Sequence, residues 1–147
     1  MNPHDLIITR TLNAPREKAW KAWTDPKQVA VWWGPNGFTN PRCEWDAKTG
    51  GKIHIDMRDP DGTVYPMNGV FVEVLPPEFL SFTSAALDDQ GKPLLEVKTS
   101  ATLTANGEKT KLTLKAVVVK TTPVGDSYLE GQAQGWNESL DRLMEVL

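Results

Sequence analysis

Cysteine is nearly absent. Cys43 stands alone, so the chain can close no disulfide within itself, and a reducing cytoplasm is the simplest compartment for it. Histidine is almost as scarce: His4 and His54, taken with Cys43, have no spacing that would hold zinc, so no metal site and no cofactor are expected. No apolar run approaches the roughly eighteen residues of a membrane span. The opening Met1-Asn2-Pro3-His4-Asp5 has neither the basic n-region nor the apolar h-region of a secretory signal. An excess of positive charge is lacking too. With 16 basic and 19 acidic residues the net charge is −3, and no basic face is evident for a nucleic-acid backbone. Nor is there a Gly-rich phosphate loop or a nucleophile elbow. Without repeats, low-complexity segments or a linker, residues 1–147 read as one domain with no nucleic-acid partner and no membrane insertion. Nothing in these absences sets an oligomeric state.

What the chain has in quantity is tryptophan, six residues in all, more large aromatic surface than packing alone usually demands. It also has one long amphipathic stretch, from Asp126 to Leu147. Ser127 and Glu130 fit a capping box, and Leu129, Ala133, Trp136, Leu140, Leu143, Met144 and Leu147 recur at steps of four and three. That spacing predicts a helix of about twenty residues, ~30 Å long, with one apolar face. Ahead of it the pattern alternates. Leu6 to Leu12 reads as a first strand, and Asn13-Ala14-Pro15 and Thr24-Asp25-Pro26 open two short helices carrying Trp20, Trp23, Trp32 and Trp33. Six further strands follow at Phe38 to Asp46, Lys52 to Arg58, Thr63 to Leu75, Phe79 to Leu87, Leu94 to Thr104 and Thr110 to Lys120, broken by Gly, Pro and Asn turns. The economical fold is α+β, a curved seven-stranded antiparallel meander gripping the last helix.

The turns decide which side chains look inward. A type I turn at Asp59-Pro60-Asp61-Gly62 with Gly62 in the bulge position pairs Asp59 with Thr63. Ile53, Ile55 and Met57 then share a concave face with Tyr65, Met67, Gly69, Phe71 and Glu73, which the Pro76-Pro77 hairpin carries on to Leu80 and Phe82, opposite Leu75 and Glu73. A two-residue Asn106-Gly107 turn pairs Ala101 with Leu112 and Thr99 with Leu114, beside Val97 and Leu103. His54, Asp56, Arg58, Asn68 and Thr83 fall on the outer face, where His54 and Asp56 make a solvated polar row rather than a catalytic dyad. Glu73 is the unusual member of the lining, because a carboxylate among Phe71 and Leu75 must be paired, hydrogen-bonded or protonated. Gly131 and Gly135, each costing about 1 kcal/mol inside a helix, leave room beside Trp136 for a close strand or for a ligand. Asp59-Pro60-Asp61-Gly62 is a turn rather than a calcium loop, since Met57 stands where the first ligand belongs.

These residues carry a resemblance. Trp32-Trp33-Gly34-Pro35, Gly50-Gly51, Met57-Arg58 with Pro60-Asp61-Gly62, Gly69 to Val74 with Pro76-Pro77, and Gly135-Trp136 with Leu140 to Leu143 occur in the order seen in the activator of heat-shock-protein-90 ATPase homologue-like family of the START-like (SRPBCC) superfamily. The resemblance spans nearly the whole chain and implies the helix-grip fold, with two short helices after the first strand and an internal hydrophobic cavity. One departure stands out: where the family often has an acid, an Arg and paired glycines, this chain has Asp46-Ala47-Lys48-Thr49-Gly50-Gly51, and Lys cannot make the bidentate contacts of Arg. The separate N-terminal domain of the eukaryotic co-chaperone is not in this chain, so the family title alone assigns it no ATPase activation.

Three functions compete. The sequence favours a cytoplasmic binding protein that holds a small hydrophobic molecule, aromatic or lipid-like, between sheet and helix, with Trp33, Met57, Tyr65, Met67, Phe71, Glu73, Phe82, Tyr128 and Trp136 as the ligand-binding residues. An enzyme of cyclase or lyase type would use the same cavity with Glu73 or Tyr65 moving a proton; no residue is assigned a catalytic role. A protein-interaction module would dock a chaperone or other protein partner through an exposed apolar patch.

Overall fold

The computed structural model describes residues 2–147; Met1 of the N-terminal stretch read above lies outside the described residues. Strand β1 (Leu6–Leu12) is followed by helices α1 (Arg16–Thr24) and α2 (Pro26–Trp32), and then by strands β2 (Thr39–Trp45), β3 (Lys52–Arg58), β4 (Val64–Leu75), β5 (Phe79–Leu87), β6 (Pro93–Asn106) and β7 (Lys109–Thr121). Helices α3 (Pro123–Glu130) and α4 (Gln132–Val146) close the chain. All seven strands form one antiparallel sheet in the order β1-β7-β6-β5-β4-β3-β2. The short loops produce the meander from β2 to β7, and β1 adds to its far edge beside β7.

The β3–β4 hairpin has the register its turn demands. Asp59 N–H donates to the Thr63 carbonyl at 2.9 Å, Gly62 takes φ +89°, and Ile53, Ile55 and Met57 lie opposite Gly69, Met67 and Tyr65. Positive φ is the conformation for which glycine alone has no Cβ penalty. The β6–β7 turn is Gly107-Glu108 rather than Asn106-Gly107, with Asn106 opposite Lys109. The pairs from Val97 to Asn106 therefore slip by two from expectation, Ala101 meeting Leu114 and Thr99 meeting Ala116. Because side chains alternate with period two, the inward set is unchanged.

Further expectations need correction. A bulge at Val72 breaks β4: Phe71 pairs with Phe82, but the next pairing is Glu73 with Ser81 and then Val74 with Leu80. The extra residue exchanges the two faces of the strand beyond it. Val74 packs on the core, while Glu73 and Leu75 are exposed. The last helix is also not one helix. It starts at Thr122, whose Oγ1 accepts from Gly125 N–H at 3.1 Å with Pro123 in the first turn, and it breaks at Gly131, which ends α3 and opens α4. Ser127 makes no capping box; its Oγ donates to the Val124 carbonyl at 2.6 Å. Similarly, α1 is preceded by Pro15 without a side-chain cap, whereas Asp25 caps α2 through Lys27 N–H at 3.0 Å, as its sequence suggested.

Helix α4 buries Ser139, Leu140 and Leu143 and has Trp136 and Leu147 partly buried along the same side. These meet the concave face of the sheet, Ile53, Ile55, Phe71, Leu80, Phe82, Ala101, Leu103, Leu112 and Leu114, with Trp23, Trp32 and Trp33 from the α1–α2 end. Arg10 of β1 ties α4 to the sheet edge through Asp141 Oδ1 at 2.7 Å and Asn137 Oδ1 at 2.9 Å.

Candidate functional site

The aromatic side chains divide the concave space. At one end they fill it: Trp23 meets Trp32 edge-on with ring centroids 4.7 Å apart, and Trp45 packs on Phe71 at 5.0 Å and on Phe82 at 5.1 Å. The indole N–H groups of Trp32 and Trp45 donate to the carbonyls of Ala22 and Trp23 at 2.9 and 2.8 Å. Hydrogen-bonded indoles of this kind orient the rings that close this end. Trp33 and Trp136, 5.2 Å apart and T-shaped, form the boundary.

Beyond that boundary lies a pocket of about 430 Å³, open on one side. Sheet residues Met57, Tyr65, Met67, Ser84 and Val97 form its floor, the α2–β2 loop supplies Trp33 to Pro35 and Phe38, and the two C-terminal helices supply Tyr128, Gly131, Gln132, Gly135 and Trp136. The space exists because small residues face it. A Cβ on Gly135 would meet only Pro35 Cγ at 3.6 Å, and one on Gly131 only the Tyr128 carbonyl at 3.8 Å. Gly69, by contrast, sits where a Cβ would collide with the Thr83 backbone.

Of the residues chosen from the sequence, the structure gathers Trp33, Met57, Tyr65, Met67, Tyr128 and Trp136 around this pocket. Phe71 and Phe82 do not line it. Both are fully buried in the filled end, 5.8 Å apart, where Phe71 packs on Trp45 and Phe82 on Trp45 and Trp33. Glu73 does not reach it either; the Val72 bulge turns it to solvent. Sequence reading missed Phe38, Leu87, Leu95 and Gln132. Leu95 is on the β6 row that contains the expected Val97, and a Glu96/Val97 bulge shifts its pairing; Phe38 sits in a loop, where no periodicity marks a face.

The rim formed by the α2–β2 loop is held from α4. Gly34 N–H donates to Ser139 Oγ at 3.0 Å and Asn36 N–H to Glu138 Oε1 at 2.9 Å, while the Arg142 guanidinium donates to the carbonyls of Val31, Trp33, Gly34 and Pro35. Hydrogen bonds from Gln134 and then from Asn36 hold the Glu138 carboxyl below its ordinary pKa. The Val31 carbonyl in the last turn of α2 and three carbonyls just beyond that helix converge on one cation there.

Polar chemistry at the pocket is sparse. Tyr65 and Tyr128 are the titratable side chains in its lining, their rings 6.4 Å apart. The Tyr65 hydroxyl donates to Asp59 Oδ2 at 3.3 Å. Partial burial, then the Asp59 charge beside it, pushes the phenol pKa up, so Tyr65 is a poorer acid than a free tyrosine. Gln132 donates to the His4 carbonyl at 3.0 Å. Outside the pocket, His54 Nε2 and Asp56 Oδ1 are 2.9 Å apart on the other face of the sheet, and Lys48 reaches only its neighbour Asp46, at 3.5 Å on the surface. Burial pushes the Cys43 thiol up to about 11. Among the described residues no group of three His, Cys, Asp or Glu side chains is placed to hold a metal, and no helix is long and apolar enough to cross a membrane.

Comparison with known proteins places this geometry. Protein NE0264 from Nitrosomonas europaea superposes over 100% of this chain and 96% of its own with a TM-score of 0.83 at 27% identity. Protein CV1439 from Chromobacterium violaceum covers 99% of this chain and 97% of its own, with a TM-score of 0.79 at 26% identity. The AHSA1 protein from Silicibacter pomeroyi, at 24% identity, shares the fold with a TM-score of 0.82 over 96% of this chain and 95% of its own. A search of curated proteins gives no match. The sequence pattern described as "Activator of Hsp90 ATPase homolog 1-like protein" matches residues 13–147. The chain therefore belongs to the Activator of Hsp90 ATPase homolog 1-like family, with the START-like helix-grip fold.

Proposed function

We propose that the protein is a cytoplasmic carrier or sensor that holds a small hydrophobic molecule in the pocket between the sheet and the C-terminal helices. Family membership supports a ligand-binding or co-chaperone-like domain; one observation favours the ligand. The chain packs Trp23, Trp32 and Trp45 into one end of its interior and leaves about 430 Å³ open at the other, lined by Trp33, Trp136, Met57, Met67 and Tyr65. Small-molecule sites run from ~300 to ~1,000 Å³ and are mostly apolar with a few polar groups, which is this composition. Methionine thioethers adapt to ligand shape at little cost. The titratable groups in the lining are two tyrosines, and the Tyr65 proton is held by Asp59 behind it; they supply binding contacts more readily than the acid and base of a cyclase or lyase.

The test is intrinsic tryptophan fluorescence during titration with flavonoids, fatty acids and sterol-like compounds, with thermal unfolding as a second readout. Trp33 and Trp136 line the pocket, so an occupant should quench them saturably and raise Tm. Met67→Trp should block the pocket and abolish both responses while the chain still folds. A flat response to the whole panel would refute the reading and favour docking of a protein partner.

A further inference from the structure

The pocket lining contains no Lys, Arg, His, Asp or Glu. An anionic group brought into it would lose its water without meeting a cation, a transfer that proteins avoid unless the charge is paired. The Arg142 guanidinium at the rim is committed to the carbonyls of Val31, Trp33, Gly34 and Pro35, and the fixed charge that a lining side chain touches is negative. Tyr65 lines the pocket where β4 leaves its turn, and its hydroxyl donates to Asp59 Oδ2 at 3.3 Å. Asp59 is itself oriented, because its Oδ1 accepts from Asp61 N–H and Thr63 N–H, both at 2.9 Å. Asp61 adds a second negative charge that acts on the same phenol. A phenol whose proton is committed to a carboxylate has its oxygen lone pairs left as acceptors. The available volume, about fourteen waters at ~30 Å³ each, is the bulk of a two- or three-ring molecule, and Trp33, Trp136 and Tyr128 offer it aromatic surfaces.

Building on the function proposed above, we infer that the pocket takes an uncharged two- or three-ring aromatic compound whose hydroxyl or amine hydrogen is donated to the Tyr65 oxygen, and that Asp59, behind Tyr65, makes the site reject the matching carboxylate. The probes are naphthalene-2-methanol and naphthalene-2-carboxylate, of nearly equal shape, titrated calorimetrically into the full chain at pH 7. The alcohol is expected to bind at least tenfold more tightly than the carboxylate. Asp59→Asn keeps the acceptor for Asp61 and Thr63 and removes the charge, so it should move the alcohol-to-carboxylate affinity ratio several-fold toward the carboxylate. Tyr65→Phe should weaken the alcohol and leave the carboxylate alone.

Equal binding of the two probes overturns the inference and leaves the pocket function standing. So does an unchanged ratio in Asp59→Asn, provided that variant retains the wild-type circular dichroism and Tm. If neither naphthalene binds but a member of the fluorescence panel does, the assigned ligand class is wrong. If the panel is silent as well, the pocket reading itself has failed.

Discussion

The two ends of the concave space are built from similar residues and end in opposite states. At the α1–α2 end, Trp23, Trp32, Trp45, Phe71 and Phe82 interlock, and two of the indoles are oriented by backbone carbonyls. At the α3–α4 end, Trp33 and Trp136 meet thioethers, tyrosines and two glycines, and space is left over. Apolar composition therefore does not distinguish a core from a pocket. What does is whether neighbouring side chains have the volume to meet, and here glycine on the helix side withholds it.

The largest effect should come from the filled end. Phe82→Ala should destabilise the protein by about 3–5 kcal/mol in urea denaturation, the sum of lost burial and a cavity that cannot collapse. Met67→Ala, beside space that is already empty, should cost about 2 kcal/mol, the lower end for such a truncation; equal costs would break the comparison. Next comes the rim of the open end. Arg142→Ala leaves the carbonyls of Val31, Trp33, Gly34 and Pro35 without their cation and should cost about 2 kcal/mol. Amide exchange at Gly34 and Asn36 should quicken, and Arg142→Lys should restore little of it.

Smaller still is the glycine contrast. Gly135→Ala should raise stability by about 0.5–1 kcal/mol, since alanine is the better helix former and its Cβ would meet only Pro35. Gly69→Ala, with a backbone carbonyl in the way, should destabilise in the same thermal melt. The last expectation concerns reactivity more than stability. With its pKa near 11 against an ordinary 9.0, native Cys43 should react with a thiol reagent at pH 8 about a hundredfold more slowly than the unfolded chain, in proportion to thiolate. Because the folded state holds the thiol protonated, that contribution to stability is complete below pH 9 and is lost as pH rises toward 11.

Much of the fold was readable. Strands β3 and β5 run over the residues the alternation marked, Lys52–Arg58 and Phe79–Leu87, and the Asp59-to-Gly62 turn put Met57, Tyr65 and Met67 on the inner face because turn type sets register. The misses have physical reasons. The Val72 bulge leaves no mark in an unbroken run from Gly69 to Val74, yet it moves Glu73 from the lining to solvent. The start of α3 was signalled by Thr122-Pro123, which outcompetes the later Ser127-Glu130 box because Thr122 Oγ1 also donates to the Leu94 carbonyl of β6 at 2.7 Å; that tertiary bond is invisible in a local pattern. Phe71 and Phe82 were placed on the right face at the wrong end. Periodicity tells which way a side chain points, while whether it touches a neighbour or faces a void depends on the volumes of residues distant in sequence.

The tryptophans have an optical consequence. Trp32 and Trp33 are 5.9 Å apart, Trp33 and Trp45 5.3 Å, and Trp23 and Trp136 6.4 Å. At such separations excitation passes readily from one indole to the next, so these five rings emit as a coupled antenna rather than as independent lamps. A quencher lodged against Trp136 alone would then drain light absorbed deep in the filled end, and the near-ultraviolet circular dichroism of the protein should carry the paired bands of interacting indoles.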